Sequence, residues 1–352
     1  MENIKVIIWG LGAMGSGVAR TLLQKKGIDI VGAIDMGEKV GKPLFEVINQ
    51  SHPHKINIPV GTTDDYIKAN QADVVIICTD SYVKGNFEKI KRVLENKMNV
   101  ISSAEEMAYP KAQNPELAAE IDRLAKENGV SVLGTGINPG HIMDLLVLVM
   151  TGALVDVKQI TSKRINSLSP FGKAVMEEQG IGLTPEAFNQ RKAAGEMAGH
   201  VGFEESVHMM ADALGVQLDA LTTEMQPIIT EVDRKSPYGE AKAGQVAGVD
   251  MSAKGMVDGK EFFTLQHPQQ IEPEQVGVET GDYVIIDGSP NVNLVNTPEI
   301  EGGLGTIAML VNMIPKIINA EAGLKTMIDL PIPHAILGDF RDQVNEAKRP
   351  FK

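Results

Sequence analysis

Only one cysteine, Cys78, occurs in the 352 residues. That excludes an internal disulfide framework and makes a reducing compartment, the cytoplasm, the expected setting. No run of about 18 apolar residues is present, which argues against a membrane span. The opening stretch MENIKVIIWG lacks the basic-then-apolar layout of a signal peptide. Basic residues are in deficit: 33 Lys and Arg stand against 46 Asp and Glu, a formal charge of -13, and they are scattered. Nucleic acid and anionic membranes are therefore not expected partners. The seven histidines show no H-x-x-H spacing and there is no cysteine pair, so no metal is expected. Internal repeats and low-complexity segments are absent. What remains is a chain 43% hydrophobic, long enough for two domains or for one domain with an insertion.

The first third alternates strand and helix signals. Lys5–Trp9, Ile28–Ile34, Asp73–Cys78, Asn99–Ser102 and Ser131–Leu133 are short, β-branched runs ended by turn residues. Between them, Ser16–Lys25, Val83–Asn96 and Pro115–Asn128 carry helical spacing. Such alternation predicts a parallel sheet with right-handed crossovers. After Gly140 the texture becomes α+β. Lys158–Asn166, Ile228–Arg234, Phe262–Gln266 and Asp282–Asp287 read as strands. Thr184–Met210 reads as mostly helical, its glycines inviting close packing, and Leu304–Ile318 as an apolar helix broken near Pro315. The expected fold is α/β, a Rossmann-type parallel-sheet domain with an inserted α+β substrate and dimerisation domain. The first takes residues 1–140 and about 303–352, the second about 141–302.

The run VIIWGLGAMGSG at 6–17 places Gly10, Gly12 and Gly15 in G-x-G-x-x-G spacing between a strand and a helix. Asp35 ends the next strand, 20 residues after Gly15. This is the dinucleotide fingerprint in its required context. The glycines let backbone approach a pyrophosphate, and the helix start at Ala13 and Met14 offers free N–H groups. Asp35 should accept from the ribose 2′-OH and repel a 2′-phosphate, which favours NAD; Lys39 and Lys42 nearby leave room for NADP. Thr79, Asp80 and Ser81 follow the strand Asp73–Cys78 at the sheet edge where cofactor passes. A polar turn with Ser81 as helix cap explains them equally well.

Ser103-Ala104-Glu105-Glu106 lies at the carboxyl end of the next strand, where a nicotinamide would stand. A carboxylate there can take a proton from an amine or a water. An acidic first helical turn is the equally good alternative. Two adjacent residues cannot point the same way, so at most one enters the cleft.

Taken in order, GLGAMG, SSAEEMAYP, GTGINPGHIMDLL at 134–146, GHVGFEES at 199–206, GLGTIAMLVNMIP at 303–315 and AEAGLKTMIDLPIP at 320–333 give the chain a family likeness over nearly its whole length. It resembles the 2,4-diaminopentanoate dehydrogenases of fermentative ornithine breakdown and the related native amine dehydrogenases acting on 4-oxo acids. The histidine-pair and Lys-x-Asp-Ala-Pro-Ser-Gly signatures of the more distant dihydrodipicolinate reductases are absent. The resemblance implies a homodimer and the oxidative deamination of an amine: amine plus NAD(P)⁺ plus water gives ketone, ammonia and NAD(P)H. It implies Glu105 as catalytic acid/base, with Glu106 as fallback. It also implies substrate contacts from Arg164 and Asn166, from His200 and His267, and from Thr306. The chemistry suits these types, because arginine grips a carboxylate bidentately and neutral acceptors such as Asn138 suit ammonium groups. Taken by themselves, Arg164 and Asn166 could be a surface pair, and His200 a packing residue. His141 could brace a helix start and Asp144 neutralise one. Two other functions fit the same frame: an aspartate- or homoserine-type dehydrogenase, and a non-enzymatic NAD-sensing module.

Overall fold

The computed structural model describes residues 2–69, 71–197 and 199–350. Residue 198, inside the stretch expected to be helical, lies outside the described residues. The chain divides into two compact units, Met1–His141 with Gly302–Lys352, and Ile142–Glu301.

In the first unit β1 (Ile4–Trp9), β2 (Ile28–Ile34), β3 (Val74–Ile77), β4 (Asn99–Ser102) and β5 (Ser131–Gly134) alternate with α1 (Ala13–Leu23), α2 (Val83–Glu95) and α3 (Pro115–Asn128). β3, β4 and β5 are buried at every position, as expected of parallel strands covered on both faces. α2 buries Val83, Asn86, Ile90, Val93 and Leu94, one stripe at helical spacing. α1 starts at Ala13, three residues before the periodicity suggests, because the glycine turn itself forms the first helical turn.

The second unit is built on β6 (Asp156–Ser167), α4 (Phe203–Leu214), β7 (Ala220–Ile229), β8 (Val246–Val257), β9 (Lys260–Gln270), β10 (Gly281–Ser289) and β11 (Val292–Asn296). Its sheet runs β11-β10-β6-β9-β8-β7, with only β6 and β9 parallel. Three features depart from the sequence-based expectation. β8 and β11 were not anticipated, and β7 begins eight residues earlier than expected. Thr184–Met210 is not one helix: a helix at Pro185–Ala193 stops before α4 begins. Gly195, Gly199 and Gly202 carry φ of 72°, 60° and 128°, so these glycines end the helix rather than tighten its packing.

The chain completes the first unit with α5 (Gly302–Asn312), a helix at Ile314–Asn319, and β12 (Gly323–Lys325). The apolar helix is thus two, parted at Met313. The first sheet reads β12-β5-β4-β3-β1-β2, and every pairing in it is parallel. β1 lies between β2 and β3. The order therefore reverses at β1 and β3, the switch point outside whose carboxyl ends such sheets bind ligands. α5 packs on α1 through Gly17, where a Cβ would stand 2.2 Å from Ile307. No helix among the described residues is long and apolar enough to cross a membrane.

Candidate active site

At the switch point the three glycines do different work. Gly10 has φ +96°, and a Cβ there would stand 2.5 Å from the Cys78 carbonyl at the end of β3. A Cβ at Gly15 would stand 1.7 Å from the Gly10 carbonyl. Both positions therefore hold turn, strand and helix in contact. Gly12 is different. It is the extended N-cap of α1 (φ -72°, ψ -158°) with no side-chain cap, and a Cβ there meets nothing within 4 Å. Open space before an uncapped helix start, whose first N–H groups come from Ala13, Met14 and Gly15, is the cradle a pyrophosphate needs. Cys78 beneath it is no nucleophile, its thiol pushed up to about 12 by burial. Gly12→Val should accordingly leave Tm within about 2 °C, since neither backbone strain nor a clash opposes it. It should weaken NADH binding at least tenfold by fluorescence titration. Unchanged affinity would remove the cradle from Gly12.

Asp35, at the end of β2, accepts from Leu11 N (2.7 Å), Met36 N (2.7 Å) and Lys39 Nζ (3.0 Å). Lys39 also donates to the Leu11 carbonyl at 3.0 Å. Buried in part yet well supplied with donors, the carboxyl lies below the usual aspartate range. Thr79 and Asp80 are tied to α2: Thr79 Oγ1 bonds Asn86 and Lys89, and Asp80 accepts from Tyr82 N at 2.8 Å. Ser81 does not cap α2. That place belongs to Glu106, whose Oε2 accepts from Val83 N at 2.7 Å and from Asn114 Nδ2 at 3.1 Å.

The turn after β4 therefore separates the two glutamates. Glu106, 9% exposed, is spent on the helix start. Glu105 instead lies beside the Ser81 hydroxyl. Burial lifts its carboxyl above the ordinary glutamate range; Asp80 and Glu106 add to this, and its own amide and Ser81 oppose it. A carboxyl whose proton affinity is raised is a better proton acceptor than an ordinary glutamate, which suits a general acid/base. Thr306, on α5, accepts from Ile137 N at 3.2 Å and so braces the loop that carries Asn138.

In the second unit Arg164, Asn166, His200 and His267, far apart in sequence, come together. Arg164 and Asn166 alternate inward on β6, and both are buried. His267 on β9 bonds the Arg164 carbonyl through Nδ1 at 2.9 Å. His200 stacks edge-on to His267 with centroids 4.7 Å apart, and its N–H donates to Met251 Sδ at 2.8 Å. Burial, helped by Arg164, holds His200 down to about 3 and His267 well below the ordinary histidine range. Both rings are neutral at physiological pH and serve as hydrogen-bonding groups rather than cations.

Arg164 was expected to meet a substrate carboxylate. Its guanidinium is already engaged by Asp282, its Cα partner on β10, and by the Ile300 carbonyl. Asp282 in turn accepts from Ile300 N at 2.8 Å. The pair, 2% exposed on each side, clamps both backbone groups of Ile300. Sequence reasoning missed Asp282. No local signal marks it, because it matters through a partner set by strand register.

Residues 141–346 match the family model described as the 2,4-diaminopentanoate dehydrogenase C-terminal domain. The chain belongs to the 2,4-diaminopentanoate dehydrogenase family. It is 61% identical to the 2,4-diaminopentanoate dehydrogenase of Acetoanaerobium sticklandii, with all of both chains covered. An amine dehydrogenase of Streptomyces virginiae is 25% identical over 95% of this chain and 98% of its own. Among solved structures, the amine dehydrogenase from Mycobacterium smegmatis superposes with a TM-score of 0.83 at 25% identity, covering 96% of this chain and 98% of that one. Residues 6–105 also match the ketopantoate reductase PanE/ApbA model. Family membership makes the chain an oxidoreductase. It also removes the binding-module reading considered above.

Proposed function

We propose that the protein catalyses NAD(P)-dependent oxidative deamination of the C4 amine of 2,4-diaminopentanoate, giving 2-amino-4-oxopentanoate and ammonia. The reverse reaction is reductive amination of 4-oxo acids. The observation that carries the reading is Glu105, a half-buried side chain whose carboxyl has raised proton affinity, at the carboxyl end of β4, with its neighbour committed to a helix cap. The residues at the switch point fit a dinucleotide. The α1 start behind Gly12 would hold the pyrophosphate, and Asp35 the adenosine ribose. A nicotinamide held by these residues would supply the acceptor for the hydride that leaves C4 of the substrate.

Glu105 has two proton tasks. It takes a proton from the C4 ammonium, because only the neutral amine can release hydride. It gives that proton up to solvent, then takes one from the water that adds to the resulting C4 iminium, and passes it to the nitrogen so that the C–N bond breaks and ammonia leaves. We read Asn138, Asn166, His200, His267 and Thr306 as substrate contacts, and Arg164 as the residue that positions the β6 end of the site. The assay is NADH production from a panel of diamino acids, with homoserine and aspartate as controls. Turnover of the controls alone would sink the reading.

NAD⁺ is the preferred cofactor in this reading, because Asp35 meets the ribose. Lys39, 3.0 Å from Asp35, is the group that would answer a 2′-phosphate. Lys39→Ala should lower kcat/KM for NADP⁺ about fivefold, the worth of one exposed charge contact, and leave NAD⁺ nearly unchanged. Equal losses with both cofactors would show that Lys39 only braces Asp35. We further read the chain as a cytoplasmic homodimer. The second sheet leaves Ile285 and Val295 45% and 51% exposed, and a monomeric mass in light scattering would count against the dimer.

A further inference from the structure

The inward face of the second sheet changes character along its strands. At one end Ile286, Ile160 and Phe263 stand side by side in register, all buried. At the other end the inward residues are Asp282, Arg164, Asn166, His267 and Gln269. Asn166 and Gln269 are direct Cα partners across the parallel β6–β9 pair. Gln179 joins this end from outside the sheet. Its Nε2 donates to the Gly199 carbonyl at 3.1 Å, next to His200, which stacks on His267.

Asn166, Gln179 and Gln269 are 4%, 6% and 6% exposed. Yet Asn166 Oδ1, Gln179 Oε1 and Gln269 Nε2 have no partner among the described residues. Buried polar atoms are normally satisfied, and an apolar residue of the same volume would fill these places at less cost. Two of the open amide atoms belong to paired residues across β6–β9 and the third to the side chain that holds Gly199 beside His200, and a polar ligand would answer them.

We propose that Gln269 and Gln179, acting with Asn166, form an amide subsite that binds the ammonium and carboxylate end of the diamino acid, the end that does not react. This rests on the functional reading above. The open atoms match that end by type. Two carbonyl acceptors suit an α-ammonium, which only donates, and one amide N–H suits a carboxylate, which only accepts. The charges match as well. The α-amino acid end is a zwitterion of zero net charge. Around it Arg164 is balanced by Asp282, both histidines are uncharged, and Glu299 accepts from Ser167 N at 3.1 Å, so no unanswered cation stands beside the amides. Neutral amides can desolvate a zwitterion without stranding a charge of either sign. A site so built rejects a substrate lacking either group, since its buried atoms would stay unpaired.

The test uses full-length protein with Gln269→Met, close in size and without the amide, and Gln269→Glu, which keeps acceptors but cannot donate to a carboxylate. Both should raise KM for 2,4-diaminopentanoate about 10- to 100-fold, the range for a lost hydrogen bond to a charged group. kcat should stay within about threefold, and KM for NAD⁺ should not move. Ligand-free Gln269→Met should melt close to the wild-type temperature, because the buried amide nitrogen it removes had no partner. Gln179→Met should raise the same KM. Wild-type KM in the Gln269 variants, or a lowered Tm with kcat and both KM values disturbed together, overturns the subsite. A wild-type protein silent on every diamino acid overturns the functional reading and the subsite with it. An active wild type with unresponsive variants overturns the subsite alone.

Discussion

Glu105→Gln should lower kcat for amine oxidation by roughly 10² to 10⁴, the usual worth of a general base, with NADH affinity unchanged. The amide keeps the size of the side chain and its place beside Ser81, and loses only the exchangeable proton. The pH profile gives a second reading. Burial raises the proton affinity of Glu105, and the base must be ionised to act. kcat/KM for the amine should therefore rise as pH climbs through the raised value. Its acid limb should lie above the ordinary glutamate range near 4.3 and disappear in Glu105→Gln. Glu106→Gln should do little to kcat, because its oxygen can still accept from Val83 N and Asn114. Glu106→Ala, which uncaps α2, should cost stability of about 1 kcal/mol. A large kcat loss in Glu106→Gln with wild-type kcat in Glu105→Gln would exchange the two roles.

The second large effect is expected at Arg164. Arg164→Met would leave Asp282 buried with no cation, and with the Ile300 N–H and the Asn296 side chain as its remaining partners. Breaking one side of a buried pair costs about 3 to 5 kcal/mol, so Tm should fall by about 6 to 20 °C. Adding Asp282→Leu removes the stranded charge and should recover most of that loss. The stable double variant then separates the two roles open to Arg164. If the arginine's work is to answer the buried Asp282 rather than the substrate, KM for 2,4-diaminopentanoate should return to within a few-fold of wild type. A KM that stays more than tenfold high in a fully folded double variant would restore Arg164 as a direct carboxylate ligand. Thermal melts and steady-state kinetics on the three proteins decide it.

Signals confined to a few neighbouring residues were the ones sequence could supply. β2, β4 and α3 fall on the residues expected, and the glycine turn lies between β1 and α1. β8 did not announce itself. Its VAGVDMSAKGMV mixes glycine, aspartate and lysine, and strand propensity is weak in such a run. It becomes a strand because β7 and β9 pair with it on both sides. The segment around His200 shows the converse. Helix-forming residues surround it, but three glycines in the left-handed region stop the helix and release His200 toward Met251 and His267.

The sequence by itself determined the parallel-sheet class, the position of the dinucleotide turn and the family. Each of these rests on residues read within a strand, a turn or an ordered series of short motifs. Only the tertiary structure decided which of two adjacent glutamates is bound to a helix start, because that depends on how the 3₁₀ turn at Glu105–Ala108 meets Val83. The pairing of Arg164 with Asp282, 118 residues away, follows from antiparallel β6–β10 register. Asn166 and Gln269 stand side by side on one face of the sheet through parallel β6–β9 register. Register is set by the packing of a whole sheet face, where a slip of one residue would turn every inward side chain outward.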